Sequence, residues 1–218
     1  MLHGYLSKKE SFLKQIGFFS RFYRVIAVDM TGFGEAEEMK KPFSVDDYKE
    51  EIKRVADEIG AEKYNLLAHS FGARVAIKLA AEDKRINKIV FTGAAGLKPK
   101  RSLKYFFKRA SFLLLKKLVP REKLGVFYSP DYRGLSPVMK ESFKLIVAEN
   151  LEKYAEKITC KALIISGKKD KETPPSSQKK LRRLISKSKL VFLNGGHFCF
   201  IENSSEFNAI VFSFLSEG

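Results

Sequence analysis

The chain has 218 residues, 44% of them hydrophobic and 30% charged, with 19 Phe and 8 Tyr. That length and composition describe one globular domain able to bury a substantial core, and they exclude disordered and collagen-like classes. A balance of 41 Lys and Arg against 25 Asp and Glu gives a net charge of +16, a surplus spread along most of the chain as a solvated surface would be.

Arg24–Val28 is an apolar run that predicts a buried strand, ending at Asp29 before the Thr31-Gly32-Phe33-Gly34 loop. Ser44 with Asp47 three residues on predicts a capped helix whose stripe is Val45, Tyr48, Ile52, Val55 and Ile59, with Gly60 at its end. Tyr64–Ala68 predicts the next strand, Phe71–Glu82 a helix, and Lys88–Thr92 a strand. Ala162–Ser166 and Leu190–Leu193 predict two more strands, with a helix around Ser177–Ile185 between them. A last helix follows Ser204, with Phe207, Ile210, Val211, Phe214 and Leu215 on one side. This alternation predicts an α/β fold, a mostly parallel sheet flanked by helices. Residues 97–158 break the rhythm and predict a helical cap inserted into a core made of 1–96 and 159–218.

No apolar run approaches the ~18 residues of a membrane span. Lys8, Lys9, Glu10, Lys14, Arg21 and Arg24 interrupt any signal-peptide core. Two cysteines, Cys160 and Cys199, are too few for a disulfide framework or a paired-cysteine zinc site. The expectation is a reducing, cytoplasmic address.

The sharpest local signal is Ala68-His69-Ser70-Phe71-Gly72, between a predicted strand and a predicted helix. A serine on so tight a turn is pushed out of the sheet edge, and small residues two before and two after it avoid a collision across the turn. A hydroxyl needs a base before it can attack. Of three histidines, His197 lies in a loop after Gly195-Gly196 at the same sheet edge as Ser70, whereas His69 is better read as a packing residue. Asp170, past another strand, supplies the carboxylate that would fix the imidazole. Ser70, Asp170 and His197 are therefore the candidate nucleophile, orienting acid and base. The candidate oxyanion donors are the backbone N–H groups of Phe71 and of Tyr5, in the His3-Gly4-Tyr5 loop. His3 is expected beside the substrate pocket.

These motifs resemble the α/β-hydrolase superfamily, of the small, capped, serine type. The likeness rests on His3-Gly4, an Asp-x-x-Gly-x-Gly loop at 29–34, the elbow at 68–72, the acid loop at 167–170 and Gly-Gly-His at 195–197. It implies a cofactor-free hydrolase, esterase-like, acting on a small ester or acyl substrate through an acyl-enzyme. The same triad serves C–C bond hydrolases and thioesterases, and it survives in inactive relatives whose basic cap could instead bind an anionic surface. Relatives with an aspartate nucleophile are disfavoured by Ser70.

Within 97–158, ten basic residues face one acid, Glu122, between Lys98 and Lys123. A helix from Ser102 to Val119 is expected over the site, with Phe106, Phe107 and Leu114 toward the pocket. Its basic face is the segment expected to make any weak contact with an anionic membrane. No nucleic-acid partner is expected, because no binding motif accompanies the charge.

One departure stands out. In the family a strand precedes the His-Gly loop, between those matching Arg24–Val28 and Tyr64–Ala68, and here only Met1 and Leu2 precede His3. The expectation is a gap at that place, from a start at an internal methionine of a longer chain in preference to a rearranged sheet.

Overall fold

The computed structural model describes residues 1–97, 132 and 134–217. The helix expected at Ser102–Val119, with Phe106, Phe107 and Leu114, lies outside the described residues. A 3-10 turn at Lys9–Phe12 leads into α1 (Leu13–Phe19), neither of them foreseen. Then come α2 (Val45–Glu58), β1 (Tyr64–His69), α3 (Phe71–Glu82) and β2 (Ile86–Thr92). After the undescribed stretch the order is α4 (Pro137–Ala148), α5 (Glu152–Ala155), β3 (Lys161–Gly167) and α6 (Pro175–Leu184). β4 (Ser188–Leu193), α7 (Cys199–Glu202) and α8 (Ser204–Ser216) complete it.

β1 to β4 form one parallel sheet in sequence order. Parallel neighbours require crossover connections; α3 and α6 make two of them on one face, and α1, α7 and α8 cover the other, so the middle of each strand is apolar on both faces. Side-chain alternation then sorts the residues. Leu66, Ala68, Ile89, Phe91, Ala162 and Ile164 face the layer built on α2, α3 and α6. Leu67, Val90, Leu163 and Ile165 face a layer of Phe12, Phe19, Phe200, Phe207, Val211 and Phe214, from α1, α7, α8 and the turn before α1. A one-residue slip would exchange these two sets, so register is firmly specified.

The capping box at α2 is present. Ser44 Oγ accepts from the Asp47 N–H while the Asp47 carboxylate accepts from the Ser44 N–H at 2.8 Å. Gly60, at φ +66°, ends that helix in the left-handed region.

The expectation for Arg24–Val28 needs correction. The segment makes no ladder of its own; a single parallel bridge joins Val28 to Leu2, and Leu2 bridges onward to Ala68. Among the described residues Leu2 links Val28 to Ala68, so bridge pairing there is confined to one level. Among the described residues no helix is long and apolar enough to cross a membrane.

Candidate active site

Three strand ends converge at one sheet edge. At the end of β1, Ser70 sits at φ +49°, ψ −108°, the cost of turning from strand to helix within one residue. Its N–H is held by the Thr92 carbonyl at the end of β2, at 3.1 Å. Gly72 is required because a Cβ there would run into the Leu2 and His3 carbonyl oxygens, and its own N–H donates to the His3 carbonyl at 3.0 Å. The elbow is therefore clamped by the Leu2–His3 segment as well as by its own strand.

After β3, Asp170 is buried at 3% exposure. Its Oδ1 accepts from the N–H groups of Glu172 and Thr173, both at 2.9 Å, and its Oδ2 accepts from Thr173 Oγ1 at 2.8 Å. Oδ2 also lies 2.8 Å from Nδ1 of His197, in the loop after β4. Burial pushes the Asp170 carboxyl up, but the His197 and Thr173 hydrogen bonds outweigh it and hold it below the ordinary range. A carboxylate facing Nδ1 sets the tautomer: Nδ1 carries the proton and Nε2 is left as the acceptor. Gly93, just past β2, links this pair to Ser70. A Cβ there would lie 3.0 Å from His197 Nδ1 and 3.3 Å from Asp170 Oδ2.

The predicted residues fare unequally. Asp170 and His197 are in direct contact, and Ser70 is next to the same Thr92–Gly93 corner. Phe71 begins α3, so its N–H is one of the helix's free first-turn donors. The Gly4–Tyr5 turn passes over the elbow: a Cβ on Gly4 would stand 3.5 Å from Ser70 Cβ and 2.9 Å from His69 Nδ1. Tyr5 projects its side chain toward α4, where its hydroxyl donates to the Met139 carbonyl at 3.2 Å.

His3 is engaged by the backbone around it. It is fully buried, and its Nε2 accepts from the Met30 N–H at 3.1 Å while Nδ1 meets the Gly4 carbonyl at 2.7 Å. With both ring nitrogens committed to backbone, it shapes the loop. His69 packs as expected, 4.7 Å from the rings of both His197 and Phe200, and donates from Nε2 to the His197 carbonyl at 3.2 Å. Burial, helped by the neighbouring His197, lowers its pKa to about 3, so it stays neutral.

Two contributors escaped the sequence reading. Thr173 donates to Asp170 from both backbone and side chain, and the only signal was its place three residues on, as in an Asx-type turn. Glu172 places Oε2 3.3 Å from Nε2 of His197, an ion pair only while the imidazole carries both protons, and its side chain is 67% exposed. Among the described residues no group of three or more His, Cys, Asp or Glu is arranged to hold a metal ion.

Comparison with known proteins places these features in context. Residues 1–126 match the model of the alpha/beta hydrolase fold family. The AB hydrolase superfamily protein YisY of Bacillus subtilis (strain 168) is 24% identical, over 98% of this chain and 89% of its own. The 2-hydroxymuconate semialdehyde hydrolase of Pseudomonas sp. (strain CF600) is 26% identical, over 89% of this chain and 77% of its own. Among solved structures, an esterase from Exiguobacterium antarcticum superposes with a TM-score of 0.78 at 22% identity, covering 100% of this chain and 91% of that one.

Proposed function

The chain belongs to the alpha/beta hydrolase fold family, and from that premise we propose that it is a serine hydrolase cleaving a small ester or acyl substrate. The observation that supports this most is the 2.8 Å Asp170–His197 contact at the sheet edge where Ser70 is held in a strained turn. In the proposed reaction Ser70 Oγ attacks the carbonyl carbon and His197 Nε2 takes the hydroxyl proton. The tetrahedral oxyanion faces the N–H groups of Phe71 and Tyr5. Collapse breaks the bond to the leaving group, which receives the proton from Nε2 and departs as the alcohol. Water, deprotonated by the same nitrogen, then releases the acid and restores Ser70. Asp170 holds the imidazole and stabilises its charged form without taking its proton.

Glu172 bears on substrate choice. Its carboxylate beside Nε2 repels a second negative charge, which favours neutral esters over dianionic substrates. The second reading, hydrolysis of a C–C bond in a 2-hydroxy-6-oxo-dienoate, draws on the name of the Pseudomonas relative. The proposed core is 1–96 with 159–218, and 97–158 is proposed to cover the site.

The test is turnover of p-nitrophenyl acetate and of a 2-hydroxy-6-oxo-dienoate by wild type and Ser70→Ala. The ester should be hydrolysed, with kcat falling ~10³-fold or more in the variant. Equal rates in the two proteins would remove Ser70 as nucleophile, and turnover of the dienoate alone would select the second reading.

A further inference from the structure

In the tautomer that Asp170 imposes, His197 and Glu172 have no proton between them. Nδ1 carries the hydrogen, so Nε2 presents a lone pair, and Oε2 of Glu172, also an acceptor, stands 3.3 Å from it. Among the described residues no Lys or Arg pairs with the Glu172 carboxylate, although Lys168, Lys169 and Lys171 are exposed on the same loop. Two acceptors facing one another at the mouth of a site are relieved by a donor that carries positive charge.

The backbone of Glu172 is fixed while its carboxylate can turn. Its N–H donates to Asp170 Oδ1 at 2.9 Å, the Thr173 N–H is tied to the same oxygen, and the Glu172 side chain is 67% exposed. In the reaction proposed for Ser70, Nε2 hands its proton to the leaving oxygen, a transfer that needs the two atoms within ~3 Å. The atoms just beyond that oxygen therefore come within reach of Glu172. Phe198, next in sequence to His197, is 42% exposed and holds its ring 5.4 Å from the imidazole. That ring offers a face that packs on alkyl groups and attracts a cation.

We propose, resting on the serine-hydrolase reading, that Glu172 and Phe198 form a leaving-group subsite for esters of amino alcohols, with a protonated amine on a short alkyl chain beyond the ester oxygen. The ammonium N–H donates to the Glu172 carboxylate, which swings off Nε2 and leaves that nitrogen open to the Ser70 proton. On collapse the acyl C–O bond breaks, the leaving oxygen takes the proton from Nε2, and the ammonium keeps its own. The product is a cationic amino alcohol. The net charge of +16 opposes a cation only at long range, because exposed charges are screened beyond ~8–10 Å at physiological salt. The carboxylate acts in contact.

The test compares 2-(dimethylamino)ethyl acetate, protonated at about pH 7, with 3-methylbutyl acetate, its uncharged isostere. The readout is the ratio of the two kcat/KM values, each taken relative to the uncatalysed rate, with Ser70→Ala as the blank. Wild type should favour the cationic ester by about tenfold. That ratio should fall to about one in Glu172→Gln and below one in Glu172→Lys, and Phe198→Leu should lower it by about threefold. With turnover that depends on Ser70, a wild-type ratio near one, or a ratio that survives both changes at Glu172, would overturn the subsite and leave the serine hydrolase standing. Turnover of neither ester above the Ser70→Ala blank would remove both.

Discussion

The sheet from β1 to β4 and the seam at Met1–Leu2 are made of similar apolar residues, yet they differ in what holds them. In the first region every strand has a neighbour, and side chains such as Ile89, Phe91 and Ile164 are completely buried. At the seam two residues bridge Val28 and Ala68, a cavity opens beside them, and Val25, Ile26 and Val28 remain half-buried. Apolar sequence is sufficient for a strand only where a partner ladder exists. Ser70, Asp170 and His197 all follow strands of the four-stranded ladder, while the Tyr5 loop follows the two-residue seam.

The largest expected effect separates two hydrogen-bonded acids, one in each region. Asp170→Asn should lower kcat by ~10³–10⁴-fold, because an amide would favour the wrong His197 tautomer. Asp29 also accepts three hydrogen bonds, from the Lys9 N–H and ammonium and from the Glu35 N–H. It touches no reacting group, so Asp29→Asn should leave kcat within about tenfold of wild type, by the same ester assay. Comparable losses in both would erase the distinction.

A smaller contrast lies in packing. Ile164→Ala empties a site closed on all sides and should cost ~2–5 kcal/mol in denaturant unfolding. Val55→Ala enlarges a cavity that already exists, and with few close neighbours to lose it should cost under ~1 kcal/mol. Equal costs would mean that the seam is as tightly packed as the sheet.

The smallest effect is a pH dependence confined to the seam. The Met1 amine falls from its ordinary 8.0 to about 5 in the folded chain, chiefly through burial. Between those values the unfolded chain binds more protons than the folded one, so stability rises with pH from about 5 to 8 and is level above 8. The thermal midpoint should climb a few degrees across that window, and N-terminal acetylation should flatten this part of the climb. An unchanged slope after acetylation would show that the amine is solvated.

Much of this was readable residue by residue. The Ser44–Asp47 box, the apolar stripe of α2, the strands β1 to β4 and the elbow depend on neighbours within a few positions, and the structure contains them all. The helix α1 was missed because Gly17 and the run Phe18-Phe19 blur its pattern, and it forms by packing on α8. The run from Arg24 to Val28 carries the apolar, β-branched signature of a strand and still makes one bridge.

Chain order and local chemistry were enough to nominate Ser70, Asp170 and His197, because turns, caps and alternation act over short distances. That Thr173 reinforces Asp170, that Glu172 reaches His197, that His3 is spent on backbone, and that the seam holds a cavity are long-range or conformational facts. They depend on which carbonyl or side chain arrives from another strand, and in a close-packed interior that is set by the assembled layers, not by any one segment.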